Sequence, residues 1–149
     1  MARRSHRGQA IDITKQLGAF TSKSAKLLAV EVHGNLVAAP SQGGTPVDTG
    51  FARSKWIPKV GAPGTGDTAE GGASNNTEGQ ASSGNVSDAA AQAALARIVA
   101  FYKIEQGSIF MTNSAPYITR LNEGWSKQAG AGFVQRAIAK GIKAVETRL

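Results

Sequence analysis

His6 and His33 are the two histidines of this 149-residue chain, and a proton-transfer or hydrolytic site would be built around one of them. A nucleophilic triad brings a Ser and a carboxylate to such a base. His6 stands in the basic stretch MARRSHRG and His33 inside a helical pattern, and neither has a Ser and an acid at a recognisable spacing. His33 is therefore read as a flank residue of its helix. A zinc site needs three or four closely spaced ligands. Two His, scattered carboxylates and no Cys do not supply that set, and without Cys there is no disulfide or thiolate chemistry either. No carboxylate pair of the glycosidase kind stands out. The expectation is no catalytic residue, no metal and no cofactor.

Phosphate binding is the next chemistry to weigh. In GWSKQAGAGFVQRAI, residues 124–138, glycines precede a helical pattern and Lys127 lies upstream. A Walker loop requires G-x-x-x-x-G-K-[ST], and the dinucleotide fingerprint requires a third Gly where Gln135 or Arg136 stands. GAPGTGD, residues 61–67, has no Lys after it. Gly130 and Gly132 are read as shaping a tight loop into the last helix.

The elements that would position any site come from charge and periodicity. Net charge is +7, unevenly spread. Residues 61–96 hold no Lys or Arg but include Asp67, Glu70, Glu78 and Asp88, so this segment is at −4 and the remainder at +11. A basic body of this kind is drawn to a polyanion or to an acidic protein face. Groove-reading motifs are missing and aromatics, at 6%, are sparse for base stacking. Non-specific phosphate contact remains open, with Arg3, Arg4 and Arg7 of the basic arm, residues 1–8, as candidate contacts to DNA or to a neighbouring subunit. No apolar run approaches the roughly 18 residues of a membrane span, and no long apolar stretch follows the basic N-terminus as a secretory signal would require.

Residues 9–149 read as one domain. In residues 11–39, Ile13, Leu17, Phe20, Leu28, Val32 and Leu36 fall on one helical face. Residues 45–50 are turn chemistry, with Asp48, Thr49 and Gly50. Residues 52–60 read as a strand anchored by Trp56, its Pro58 placing it at an edge. Residues 61–87 are Gly-rich, polar and linker-like, unable to bury a core. Ser87 and Asp88 suit the start of a helix running to about Gln106, with Leu95, Ile98, Val99 and Tyr102 inward. Residues 108–113 form a short strand, residues 115–122 a helical turn or two opened by Pro116, and residues 132–149 a last helix with Phe133, Ile138, Ile142 and Val145 inward. The sum is an α+β domain: a small antiparallel or mixed sheet packed with long N-terminal, middle and C-terminal helices, with the long Gly-rich loop inserted at 61–87.

Two stretches carry a resemblance. TPVDTGFARSKW, residues 45–56, and IFMTNSAPYITRLNEGWSKQAGAGFVQRAI, residues 109–138, in this order and with a helix before the first, resemble the HK97 gp10-like family of tailed-bacteriophage neck and tail-completion proteins. The family pattern is T-P-V-D-T-G-x-x-R-x-S-W, then N-x-x-P-Y-x-x-x-L-E-x-G-x-S-x-Q-A-P-x-G-[FM]-V. Pro46, Asp48, Thr49, Gly50 and Arg53 match the first part, and Ser54 and Trp56 match with Lys55 inserted between them. Asn113, Pro116, Tyr117, Leu121, Gly124, Ser126, Gln128, Ala129, Gly132, Phe133 and Val134 match the second. Asn122-Glu123 displaces the usual carboxylate by one, and Gly130 replaces the usual Pro.

The resemblance implies a structural virion protein at the head–tail junction, not an enzyme. It would form a homo-oligomeric ring of six or twelve copies. The ring would join portal or adaptor proteins to tail proteins and surround a channel holding genomic DNA. The Gly-rich loop and the basic arm would reach neighbouring subunits. Tyr117 is expected in the core, while Trp125 fits core and interface equally. The rival reading is a non-specific DNA-binding protein using the basic arm and the first helix.

Overall fold

The computed structural model describes residues 6–46, 51–64 and 89–149. The fold is α+β. In chain order it runs α1 His6–Val37, α2 Phe51–Ser54, β1 Trp56–Val60, α3 Ala89–Phe101, β2 Ile109–Asn113, α4 Ile118–Asn122 and α5 Phe133–Arg148, with 3-10 turns at Pro40–Gln42 and Ile104–Gln106. Much of the Gly-rich stretch, residues 65–87, lies outside the described residues, as does the Ser87–Asp88 start expected for the middle helix.

α1 is 32 residues, about 48 Å at the α-helical rise. It starts at His6, so the end of the stretch read as a free arm is helical. Its small polar residues do not interrupt it. Thr21, Ser22 and Ser24 donate their hydroxyls back to the carbonyls of Leu17, Gly18 and Phe20, four residues earlier. The expected apolar face is buried only in part. Leu36 and Val32 lie in the core, Leu28 packs against it, and Ile13, Leu17 and Phe20 are 65%, 63% and 53% exposed. His33 is not a flank residue. It is 2% exposed, on the side of α1 that also buries Ala29 and Leu36.

β1 and β2 pair antiparallel, from Trp56 opposite Asn113 to Val60 opposite Ile109. Pro58 sits opposite Met111 in this two-stranded sheet, where each strand is an edge and a missing N–H is tolerated. The strand is shorter than the sequence reading. Residues 51–54 coil into the single turn α2, and β1 begins only at Trp56. The Ala52 carbonyl explains the turn, since it accepts from the Lys55 N–H at 3.3 Å and from the Asn113 side-chain amide at 2.7 Å.

α3 ends at Phe101, five residues before the expected Gln106. The chain then tightens into a 3-10 turn closed by Gly107 at φ 91°, and the Tyr102 hydroxyl donates to the Gly107 carbonyl at 2.7 Å. Leu95, Ile98 and Tyr102 are buried as the spacing predicts, but Val99 is on the exposed side. Ala91, one turn before Leu95, takes the fourth inward place.

α5 packs on α1 through Phe133, Ala137, Gly141 and Val145. Ile138 and Ile142, expected inward, are 41% and 44% exposed. The contact selects small residues. A Cβ on Gly141 would stand 2.7 Å from Val32 Cγ2, so the two helices approach as closely as a bare Cα allows. The core of Val32, Leu36, Trp56, Phe133 and Ala137 therefore lies where α1, α5 and β1 meet.

Candidate functional site

The two motif stretches meet in space. Trp56 and Asn113 are opposite one another at one end of the sheet. Trp56 is 6% exposed, and its indole N–H donates to the Thr45 hydroxyl at 2.8 Å. That hydroxyl donates in turn to the Leu36 carbonyl at 2.7 Å, and the Thr45 backbone N–H reaches the same carbonyl at 2.9 Å. The Arg53 Nε donates to the Val37 carbonyl. A helix leaves its last four carbonyls without intrahelical donors. Here Thr45 and Arg53 of the first motif serve two of them at the end of α1.

Asn113 does the matching work from the second motif. Its amide nitrogen donates to the Ala52 carbonyl, and its carbonyl oxygen accepts the Ala115 N–H at 2.9 Å, an Asx turn that sends the chain out of β2. Ala115 is buried in that turn, while Pro116 is exposed and Tyr117 is 39% exposed. Tyr117 is thus not the core residue expected. Ile118 and Leu121, the next turn on, pack on the core instead.

Gly124, Ser126 and Gln128 shape the loop between α4 and α5. Gly124 takes φ 93°, and a Cβ there would stand 3.1 Å from the Ala131 nitrogen. The Ser126 hydroxyl accepts the Gln128 N–H at 3.1 Å. Arg136 reaches back from α5 to the carbonyls of Gly130, at 2.9 Å, and Ala131. Trp125 is 72% exposed, with the Arg120 guanidinium 5.3 Å above its ring, a cation–π distance.

Asn122 is the residue the sequence reading missed. It was taken as part of a displaced carboxylate. Gly132 precedes α5 at φ 78° and carries no side chain to cap it. Asn122 caps it from across the loop: its Oδ1 accepts the Val134 N–H at 3.0 Å, its carbonyl accepts the Gly132 N–H at 2.7 Å, and its amide donates to Gln135 Oε1 at 3.0 Å. A neutral amide offers both a donor and an acceptor here, which a carboxylate does not.

Asp48, Thr49 and Gly50 lie outside the described residues, as do Arg3 and Arg4. Arg7 lies in the first turn of α1, its side chain outside the description. Among the described residues, no three His, Asp or Glu side chains converge as a metal site would require. No described helix is long and apolar enough to cross a membrane. The matched residues Arg53 and Asn113 thus hold α1 to α2 and α2 to β2, while Asn122, a departure from the pattern, holds α4 to α5. No protein-family model, curated protein or solved structure matches this chain.

Proposed function

We propose that this chain is a structural virion protein of a tailed bacteriophage, a subunit of an oligomeric ring at the head–tail junction. One observation carries the reading. The two separate stretches that resemble neck and tail-completion proteins close on each other through the pairing of Trp56 with Asn113 and the Asn113–Ala52 hydrogen bond, and Thr45, Arg53 and Asn113 spend their polar groups on fixing backbone. Residues used in this way build a rigid subunit, and a subunit of a ring has no need of turnover. The protein on this reading is not an enzyme. It assembles in the host cytoplasm, contacts portal or adaptor proteins on one side and tail proteins on the other, and touches channel DNA without reading sequence.

The net charge of +7 supports both the channel and the rival DNA-binding reading. The two separate in a loss-of-function test. Phage lacking this chain should give filled heads and tails that fail to join, and supplying the chain should restore joined particles. Joined, infectious particles without the chain would overturn the ring reading. Duplex binding by the isolated chain that falls steeply with salt would then favour the DNA-binding one.

A further inference from the structure

α1, with 32 residues, is twice the length of the 16-residue α5 that packs on it. The two run antiparallel: Asn35 donates to the Ala137 carbonyl at 3.1 Å, and Gly141 closes on Val32 and Leu28. After Gly141, α5 has seven residues left, about 10 Å, and ends near the middle of α1. The face it covers does not end there. Leu17 lies about three turns before Leu28 and in line with it. With Ile13 and Phe20 it forms an open apolar row, spaced by four and three. The 3-10 turn Ile104–Gln106 meets α1 on a different side, at Gly18 and Ser22, and leaves this row uncovered.

α5 has an unused row of its own. Ile138 and Ile142 are one turn apart, and Leu149 at the chain's end is 51% exposed. Two apolar rows on different helices of one chain favour a contact between unlike surfaces, the head-to-tail kind that generates rings.

We propose that Ile13, Leu17 and Phe20 of one copy dock on Ile138, Ile142 and Leu149 of a second copy, and that this head-to-tail contact, repeated, closes the ring. The proposal rests on the ring reading above and names the surfaces that make it. Two facts point to a second copy as the occupant. The same face of α1 is already covered, one half-length further on, by an α5 surface of this chain. The positions flanking the open row are Thr14, Gln16, Thr21, Lys23 and Ser24, with Lys15 and Lys26 on the opposite side of the helix. On α5, Lys140 and Lys143 lie on the far side from Ile138 and Ile142, so a basic chain can bring the two rows together without setting lysine against lysine. Stable interfaces bury about 800 Å² per partner, more than three side chains a side provide. The single contact is then weak and concentration-dependent, and ring closure, in which every copy makes it twice, consolidates it.

The test is analytical ultracentrifugation of the full chain and two variants, Leu17→Glu and Ile142→Glu, with circular dichroism to check folding; Ile13→Glu replaces Leu17→Glu if that variant unfolds. The expected result is self-association of the wild type, loss of it by at least tenfold in each variant, and a 1:1 heterodimer when the two variants are mixed, since each keeps one intact row. Loss in Leu17→Glu alone, or no heterodimer on mixing, overturns the head-to-tail contact. Association unchanged in both variants overturns the proposal and leaves the ring reading standing on other surfaces. A wild-type chain that stays monomeric at about millimolar concentration overturns it as well, while location at the neck is decided separately on particles.

Discussion

Thr45 joins two parts of the fold with one hydroxyl. It accepts from the Trp56 indole and donates to the Leu36 carbonyl, and it is fully buried. Thr45→Val keeps the shape and removes the hydroxyl, leaving a buried N–H without its acceptor. The expected loss is about 1–3 kcal/mol of stability, read as a lower urea midpoint, while Thr45→Ser retains most of it. Asn122→Ala removes the borrowed cap of α5 and should cost about 1 kcal/mol, with unchanged helix content at low temperature. These two residues show where legibility stops. Trp56 was readable as an anchor because it is a large apolar residue in a strand pattern. Thr45 and Asn122 act across sequence gaps of nine and twelve residues. Spacing rules for caps look only three residues ahead, so nothing local marks either one.

The helices were legible in kind and position, and the buried face of α3 largely so, but the faces of α1 and α5 only in part. α5 was expected to bury Phe133, Ile138, Ile142 and Val145 and buries the first and last, and α1 was expected to bury the whole row from Ile13 to Leu36. Hydrophobicity picks the largest apolar residues, whereas packing of α1 on α5 selects Ala137 and Gly141. Gly141→Ala tests this. Its new methyl would press on Val32 Cγ2, and separating the helices should cost about 1–3 kcal/mol. Val32→Ala in the same chain should return part of that loss, a coupling measurable in a double-mutant cycle. Ile138→Gln, by contrast, should change the stability of the isolated chain by no more than about 0.5 kcal/mol. The early stop of α3 and the turn at α2 escaped the sequence for a related reason. Both are set by tertiary partners, the Ser22 hydroxyl that accepts the Ile104 N–H at 3.0 Å and the Asn113 amide on Ala52.

At the scale of the whole molecule, the α+β architecture followed from the order of helical and strand patterns, and the proposed function rests on two motif stretches that the fold brings together. On the proposed reading the Gly-rich segment serves assembly rather than stability. Deleting residues 75–83, which are polar and cannot build a core, should leave the melting temperature of the chain nearly unchanged, since shortening a connection changes its closure cost by only about 0.6 kcal/mol per halving of length. The same deletion should weaken ring formation, and normal assembly of the deletion variant would remove the loop from the account. The measurement that reaches the central claim most directly is electron microscopy of intact particles carrying a mass or antibody label on this chain. The account predicts label at the neck, at a fixed copy number per particle set by the ring. Mature particles without the chain, or the chain recovered only with free DNA, would contradict it.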